Sequence, residues 1–344
     1  MITVNIITSD GSTLIAEQGC SWYDISSAVV KQTLNEVSSA TLKFPSSNQR
    51  VRNILGTNRP VIEVLDDGAR VFYGAVVNSK VDIWDNVEFN CDGALSFLSD
   101  IVKDPFYVDN KTPAEYIETI IGQYNAAVSA ERQVAFGGVI GFGSGNVDIH
   151  HSDEYTDTLT LLKEAVDIYG GYIYETFGSG SAKPSIGWTK DPAIDSGKII
   201  DFGVNEIALT NQLDFSEYAS RVYAKGSGSL SKTAIDQDAE AAWGRRDMAY
   251  KSNADTQGKL DTEVLSVILA HSTPIRSIDV TALDLTQMGL QYSGFALGTT
   301  ATLIERRSGR SIVLMVNTVE RDLMSPQNSK IVLGRAPITL TSSI

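Results

Sequence analysis

The sequence predicts a mainly β protein of the α+β class, and three features of its pattern support this. Segments with alternating apolar and polar residues fill about the first 98 residues and return after Asp201, as strands with one buried face do. Turn residues, above all glycine beside aspartate or serine, separate these segments at short intervals. Capped helical patterns lie mainly between residues 99 and 200. We therefore expect a β-meander, an α/β insert and a second β-meander.

The N-terminal segments predict antiparallel strands joined by hairpins. Val61–Leu65 runs into Asp66-Asp67-Gly68 and returns as Val71–Val77, because glycine accepts the positive φ of such a turn. A second hairpin is predicted between Val81–Trp84 and Val87–Cys91, turning at Asp85-Asn86. Two more strands are predicted from alternating apolar residues: Ile2, Val4 and Ile6 in one, and Ala40, Leu42 and Phe44 in the other.

Two capped helices are predicted in the middle of the chain. Thr112-Pro113-Ala114-Glu115 is a capping box with proline at the first helical position. A second helix is predicted from Asp157 to Tyr169, and Gly170-Gly171 ends it. One face of each is apolar: Tyr116, Ile117, Ile120, Ile121 and Tyr124 in the first, and Leu159, Leu162, Val166 and Tyr169 in the second.

Strands dominate the rest of the chain. Hairpins are predicted between Tyr172–Glu175 and Ile186–Trp188, and around Ser308-Gly309. Arg221–Lys225 is a short strand, and Thr256–Leu269 is predicted as a helix. Arg276–Gly334 is predicted as a further run of strands.

The length of 344 residues predicts two or three domains. We divide the chain into an N-terminal β domain over residues 1–98, a mixed α/β domain over 99–200 and a second β domain over 201–344. The last of these carries a helical insertion around residues 236–272.

The charge balance of 28 basic and 42 acidic residues, a net charge of −14, argues against a nucleic-acid or membrane-surface role. The densest basic clusters are the pairs Arg245-Arg246 and Arg306-Arg307, so no basic stripe is present. No apolar run reaches the ~20 residues that a membrane-spanning helix needs, and Met1–Ile7 indicates a strand rather than a signal peptide. We expect neither stable nucleic-acid binding nor membrane insertion.

The residues that usually carry chemistry are sparse. His150-His151 stand beside Asp153 and Glu154, but their spacing fits no H-E-x-x-H metal site and indicates a loop. His271 follows a predicted helix, where a cation is favoured by the helix dipole. Cys20 and Cys91 are predicted to be buried free thiols of a protein folded in a reducing cytoplasm.

Other candidate motifs lack residues that their chemistry requires. Gly137–Gly145 lacks the Gly-Lys-Ser/Thr ending of a phosphate loop and is predicted as a loop or hairpin. No G-x-S-x-G nucleophile motif is present, and the acidic pairs Asp66-Asp67 and Asp236/Asp238 fit turns and solvated surface. Carboxylates of a glycosidase need not be close in sequence, so that activity stays open. We assign no catalytic, cofactor-binding or metal-binding residue and expect no cofactor.

The aromatic pairs of the β segments have two interpretations. Trp22-Tyr23, Phe72-Tyr73 and Tyr172/Tyr174 could line a carbohydrate site. Such residues more often fill β cores, which is the interpretation we favour.

Several stretches, in order and spacing, resemble one family. The chain is similar to prophage minor structural proteins of the tail-associated, "tail endopeptidase" type, in the hub region of siphophage tail-tip proteins. The stretches that carry this resemblance are Ser39–Phe44, Asn58–Val64, Val71–Val76, Glu88–Leu98, Thr112–Tyr116, Phe295–Gly298, Thr318–Leu323, Pro326 and Ile331–Gly334.

The resemblance implies a baseplate-hub-like fold with two small antiparallel β-barrel-like domains and α/β insertions. It also implies a homotrimer whose six barrels face the hexameric tail tube. Lytic activity in such proteins is expected in C-terminal extensions, and the chain stops ten residues after Gly334. We therefore expect the hub alone and no enzyme.

The predicted function is a structural hub at the virion tail tip, which caps or extends the tail tube and guides DNA release. Its expected partners are further copies of the chain, the tail tube or distal tail protein and other tail-tip proteins, after assembly in the cytoplasm of a bacterial host. Two alternatives remain open: a cell-wall-degrading peptidase or glycosidase, and a carbohydrate-binding receptor module.

Overall fold

The structure is a computed structural model, and it describes residues 1–55, 59–105, 108–140, 147–149, 155–178, 182–190, 194–201, 206–282, 295–305 and 310–334. The chain forms two compact units. The first comprises residues 1–209 and 280–344, and the second comprises residues 210–279.

Strands are the commonest elements of the described chain. The strands, in chain order, are β1 (Ile2–Thr8), β2 (Gly11–Glu17), β3 (Ser27–Thr33), β4 (Ser39–Phe44), β5 (Val61–Asp66), β6 (Ala69–Val81), β7 (Val87–Gly93), β8 (Val102–Lys103), β9 (Val108–Lys111), β10 (Ala135–Ile140), β11 (Val147–Ile149), β12 (Thr156–Asp157), β13 (Tyr172–Thr176), β14 (Ser185–Thr189), β15 (Ile194–Asp201), β16 (Glu206–Asp214), β17 (Arg221–Lys225), β18 (Ser231–Ile235), β19 (Asp247–Lys251), β20 (Ile275–Ala282), β21 (Thr299–Glu305), β22 (Arg310–Asp322) and β23 (Lys330–Gly334).

Helices are fewer than strands in the described part of the chain. The α-helices are α1 (Gln49–Arg52), α2 (Pro113–Ala127), α3 (Thr158–Tyr169), α4 (Gln237–Trp243) and α5 (Gln257–His271). Among the described residues, 3-10 helices cover Ala94–Ser99, Ala130–Arg132 and Pro326–Asn328. Within the described ranges no helix is both long and apolar enough to cross a bilayer.

One large sheet organises the first unit. Within this unit its strands follow the order β23-β22-β3-β4-β7-β6-β5-β1-β2, and β21 joins β22 to β15. The run β5-β6-β7 is the predicted antiparallel meander. Asp67 and Gly68, at φ 47° and 79°, form its first turn, where glycine is favoured. The alternating residues of β1 and β4 are buried as predicted, because one face of these strands covers a core.

The two ends of the chain meet in this sheet. β22 pairs antiparallel with β3, from Thr318 opposite Thr33 to Asp322 opposite Val29. The Thr318 hydroxyl donates to that of Thr33 at 3.1 Å, and Leu323 packs into the core formed by the N-terminal strands. The sheet therefore crosses both predicted domain boundaries, near residues 98 and 200, and that division stays a prediction.

The α/β part is built as the sequence predicts. Thr112 and Glu115 form the capping box at the start of α2, and Asp157 caps α3. Gly170 ends α3 at φ 73°. The predicted apolar face of α2 is buried in one core with Leu162 and Val166 of α3, beside the sheet β10-β14-β13. The predicted hairpin is the antiparallel pair β13–β14.

The second unit is a three-stranded sheet with helices. β17 lies between β18, which is antiparallel to it, and β19, which is parallel. Leu260, Val264 and Ile268 of α5 pack against Val222 and Ala224 of β17. The predicted helical insertion thus contains α4 and α5, with β19 between them.

The ladders of the described residues form an open path of strands and no closed barrel. The mainly β fold with helical insertions agrees with the prediction. The two-barrel arrangement stays a prediction.

Candidate assembly surface

Several exposed apolar residues of the first unit lie together at the end of the hairpin β6–β7. β5 pairs with β6 only as far as Ala75, and the last contact on that side is the Val76 N–H to the Pro60 carbonyl at 3.0 Å. The β6–β7 ladder continues to Val81 opposite Val87. Residues 77–85 are all exposed, and residues 78–81 form an exposed edge of the sheet, because they pair with β7 and β7 pairs with β4 on its other side. We call residues 77–86 the arm.

The tip of the arm presents two large apolar side chains to solvent. Ile83 is 87% exposed and Trp84 is 71% exposed. Val77 and Val81 add further exposed apolar surface along the same arm. Exposed apolar residues scattered singly are ordinary, but a group of this size on one projection is typical of a contact surface.

Hydrogen bonds to Asp82 hold the tip in a fixed shape. Its Oδ1 accepts from the backbone N–H groups of Trp84 at 2.8 Å and Asn86 at 2.9 Å, and its Oδ2 accepts from the Asn86 amide at 2.9 Å. The Asn86 side chain is the main cause of the lowered pKa of Asp82, which keeps the carboxylate ionised. Asp85 takes φ 65°, a turn conformation that aspartate tolerates.

Arg52 of α1 ties the tip to the body of the unit. Its guanidinium donates to the Asp85 carbonyl at 3.2 Å and pairs with the Asp85 carboxylate at 3.1 Å. The tip of the arm is therefore held in one conformation by contacts within the same chain.

This tip differs from the sequence prediction. Val81–Trp84 was predicted as strand, whereas only Val81 belongs to β6, and residues 82–86 form the turn. The Asp82 side chain accepts hydrogen bonds from backbone N–H groups of the turn, which competes with strand pairing and so ends the ladder. An aspartate four residues before an asparagine is the local signal for such a turn.

The predicted histidine candidates differ in whether the structure describes them. His150, His151, Asp153 and Glu154 lie outside the described residues. His271 is the last residue of α5, and its Nδ1–H donates to the Glu217 carbonyl at 2.7 Å. The described residues include no group of three or more His, Cys, Asp and Glu side chains that could hold a metal ion.

The remaining motifs have structural roles where they are described. Residues 137–140 belong to β10, and the rest of the glycine-rich run lies outside the described residues. Asp236 caps α4 by accepting the Ala239 N–H at 2.9 Å. Cys20 and Cys91 are free thiols, but only Cys91 is buried, and Cys20 is half-buried at the surface.

Two buried carboxyl groups stabilise the first unit rather than forming an open site. Glu63 pairs with the Arg70 guanidinium at 2.7 Å and accepts the Asn5 amide at 3.0 Å. Glu175 of β13 is fully buried and accepts the Leu95 N–H. Burial raises the pKa of Glu175 to about 7.

The aromatic pairs divide between core and surface. Phe72 and Tyr73 are buried, as the core interpretation predicts. Tyr172 and Tyr174 are half-buried against Leu34 and Met315. Trp22 is 79% exposed, so the core interpretation is wrong for this residue.

Comparisons with known proteins identify the fold. Residues 194–344 match the model of a family described as prophage endopeptidase tail. The 43 kDa tail protein of prophage MuSo2 from Shewanella oneidensis superposes with a TM-score of 0.67 at 12% identity, with 98% of each chain covered. The resemblance to prophage tail proteins is confirmed. No curated protein sequence matches the chain.

Two further solved structures share this tail-protein fold. Prophage tail protein gp18 from Listeria monocytogenes EGD-e superposes with a TM-score of 0.58 at 13% identity, covering 97% of this chain and 94% of that one. The c3393 protein of E. coli, described as a type VI secretion component similar to the T4 tail proteins gp27 and gp5, gives a TM-score of 0.51 at 10% identity. That match covers 91% of this chain and 73% of the other. At such low sequence identities, these similarities show a shared fold and nothing more.

Proposed function

We propose that the protein is a structural component of a phage or prophage tail, and that it forms a hub ring at the tail tip. The observation that carries this proposal is the match of the whole chain, rather than one domain of it, to a prophage tail protein, with 98% of both chains covered. The likeness of c3393 to T4 gp27 and gp5 supports a baseplate position. The ring would cap or extend the tail tube and guide DNA release.

A homotrimer with two barrel-like domains per subunit is part of the same proposal. Its support is the order of elements along the chain, with strands before and after the α/β part. Three copies would then offer six similar β domains to a hexameric tube. The expected partners are the tube or distal tail protein and other tail-tip proteins, and the expected location is the virion tail tip.

We also propose that the chain acts without enzymatic activity, although the family description contains the word endopeptidase. The support is that the described candidate residues serve as caps, turns and buried pairs. His271, for example, binds a backbone carbonyl, and Asp236 caps a helix.

The test of the hub proposal is the mass of the purified protein in solution. Light scattering over a concentration series is expected to approach three times the mass of one chain, and negative-stain images are expected to show rings. A stable dimer or tetramer, or a chain that stays monomeric and fails to bind tail tubes, would contradict the hub.

A further inference from the structure

The three-stranded sheet of the second unit has one covered and one exposed face. Val222 and Ala224 of β17 are buried with α5 in one core. Since successive residues of a strand point to opposite faces, Tyr223 and Lys225 lie on the other side of the sheet, where both are exposed. Paired positions on neighbouring strands share a face, so four exposed residues of β18 and β19 extend this surface: Ser231, Thr233, Ala249 and Lys251. We call Tyr223, Lys225 and these four residues the open face.

The open face lines a pocket with a volume of about 680 Å³. Its residues include a tyrosine, two hydroxyl residues and two lysines, and Lys232 also lines the pocket. None of the lining residues in the described part of the chain is acidic. Pockets of this size with apolar surface and a few placed polar groups are typical ligand sites. The composition of this pocket suits a negatively charged group.

Two of the three lysines of the pocket have no acidic partner. Lys232 pairs with the Asp261 carboxylate at 3.3 Å. Lys225 and Lys251 lie opposite each other in β17 and β19, and neither forms an ion pair with any residue that the structure describes. Like charges directly opposite each other on neighbouring strands are destabilising, so a bound anion would relieve this repulsion.

The cations at the other end of the same sheet are neutralised. The Arg221 guanidinium donates twice to the Glu240 carboxylate, each time at 2.8 Å. Arg245 pairs with the Asp247 carboxylate at 2.8 Å. The uncompensated positive charge of this sheet is therefore confined to the two unpaired lysines, in a chain whose net charge is −14. Complementary charge across an interface favours an acidic ligand at that end.

Two lysines suit a carboxylate-bearing peptide better than a nucleic acid. A nucleic-acid site draws most of its affinity from many phosphate contacts, and an acidic chain repels a polyanion. A single carboxylate responds mainly to the charges within a Debye length of about 8 Å, which here are the two lysines. Tyr223 and Ala249 add apolar surface next to them, as a peptide with mixed side chains requires.

We propose that the open face binds an acidic peptide segment of another tail protein, with a carboxylate between the ammonium groups of Lys225 and Lys251 and an apolar side chain against Tyr223. The hydroxyl groups of Ser231 and Thr233 are further donors for the same carboxylate. The proposal rests on the structural role in a tail proposed above, and it names the chemistry of one partner.

A blocked peptide of sequence Glu-Glu-Leu-Glu-Glu, carrying a fluorescent label, tests the site on the full chain. Fluorescence anisotropy is expected to show saturable binding with a dissociation constant below about 1 mM. The double variant Lys225→Met and Lys251→Met keeps the apolar stems and removes both charges, so it is expected to weaken binding at least about tenfold. A peptide with glutamine in place of glutamate is expected not to bind, and equal binding of both peptides would overturn the proposal.

A second double variant controls for the change in overall charge. Lys43 and Lys80 both pair with the Glu88 carboxylate, at 3.2 and 3.5 Å, in the large sheet of the first unit. Lys43→Met with Lys80→Met removes the same charge from lysines that already have an acidic partner, and it is expected to bind the peptide as wild type does. Equal losses in the two double variants would mean that only net charge matters and would overturn the proposal.

Lys251→Glu gives a second measurement, with opposite effects on stability and on binding. It places a carboxylate opposite Lys225, so the free protein is expected to gain stability, seen as a higher urea midpoint, while peptide binding is lost. Unchanged peptide binding by this variant would overturn the proposal. A lower midpoint would contradict the repulsion between the two lysines on which the proposal relies.

Two further ligands separate the alternatives. Inorganic phosphate that displaces the peptide completely at equal concentration would show a site for small anions only. A single-stranded oligothymidine that binds more tightly than the peptide would show a nucleic-acid site. Either result would overturn the proposal.

The outcomes distinguish this site from the hub itself. A wild-type trimer that does not bind the acidic peptide would contradict the site and leave the hub standing. A stable dimer that binds the peptide through the two lysines would contradict the hub and leave the site standing. A chain that neither forms the trimer nor binds the peptide would contradict both.

Discussion

At the scale of single residues, Glu175 shows how one buried carboxyl group can link stability to pH. It lies among Ser38, Gly93 and Leu95, where an added Cβ at Gly93 would sit 2.5 Å from its Oε2. Burial disfavours the charged form and raises the pKa to about 7, from an ordinary value of 4.5, and the Leu95 N–H offsets only part of this. The folded state therefore holds this proton more tightly than the unfolded chain does.

The consequence for stability has a definite sign. Because the folded pKa lies above the unfolded one, the contribution of Glu175 is greatest below about pH 4.5 and is lost as the pH rises towards about 7. The full loss corresponds to about 3 kcal/mol, as an order of magnitude. Glu175→Gln, which cannot ionise, is expected to be more stable than wild type at pH 8 and similar to it at pH 4.5. Urea unfolding at both pH values measures this, and an equal effect of the substitution at both would contradict the assignment.

At the scale of elements, the close packing of β6 against β7 depends on glycine at one position. An added Cβ at Gly74 would lie 2.0 Å from the Asp92 carbonyl oxygen and 2.7 Å from the Phe72 ring. Both are below any normal contact, and the carbonyl belongs to a neighbouring strand of the same sheet. Gly122, in the middle of α2, is the opposite case, because its Cβ would meet open space.

These two glycines give a matched pair of substitutions. Gly74→Ala is expected to destabilise the protein by about 2 kcal/mol or more, since backbone must move to admit the methyl group. Gly122→Ala is expected to stabilise it by about 0.5–1 kcal/mol, because alanine loses less entropy in a helix. The shift in the urea midpoint, followed by circular dichroism, measures both. Equal effects of the same sign at the two positions would contradict the packing described for β6.

At the scale of the whole molecule, the net charge bears on the proposed role in DNA release. Each chain carries a net charge of −14. Of the two densest basic clusters, Arg306-Arg307 lies outside the described residues. The other, Arg245-Arg246, already binds acceptors within the chain. Arg245 pairs with Asp247 at 2.8 Å, and the Arg246 guanidinium donates to the Ser216 carbonyl at 2.8 Å. Acidity also keeps a β-rich protein soluble, so net charge alone does not locate a channel.

We predict that the protein does not retard double-stranded DNA in a gel at low salt, where attraction to phosphate is strongest. A basic DNA-binding protein in the same gel serves as the positive control. Retardation at micromolar protein that weakens steeply with added salt would reveal a basic face, and it would contradict the role in DNA release.

The sequence by itself determined the features that arise from contacts between near neighbours. The capping box of Thr112 and Glu115 and the turn at Asp67-Gly68 depend on a few consecutive residues. The apolar stripe of α2 likewise follows from helical periodicity. The family resemblance was readable for the same reason, since it consists of such local patterns in a fixed order.

Only the tertiary structure decided which distant strands and surfaces meet. Nothing local to Thr33 or Thr318 shows that β3 and β22 pair across 285 positions, because strand pairing depends on which edges the whole fold leaves free. Whether a given side chain is exposed or buried also depends on the tertiary structure. Trp84 and Phe72 both stand in apolar stretches of one hairpin region, yet Trp84 is exposed and Phe72 is buried. The physical reason is that Phe72 lies in the part of β6 that pairs with β5 and faces the core, whereas Trp84 lies in the turn beyond that ladder.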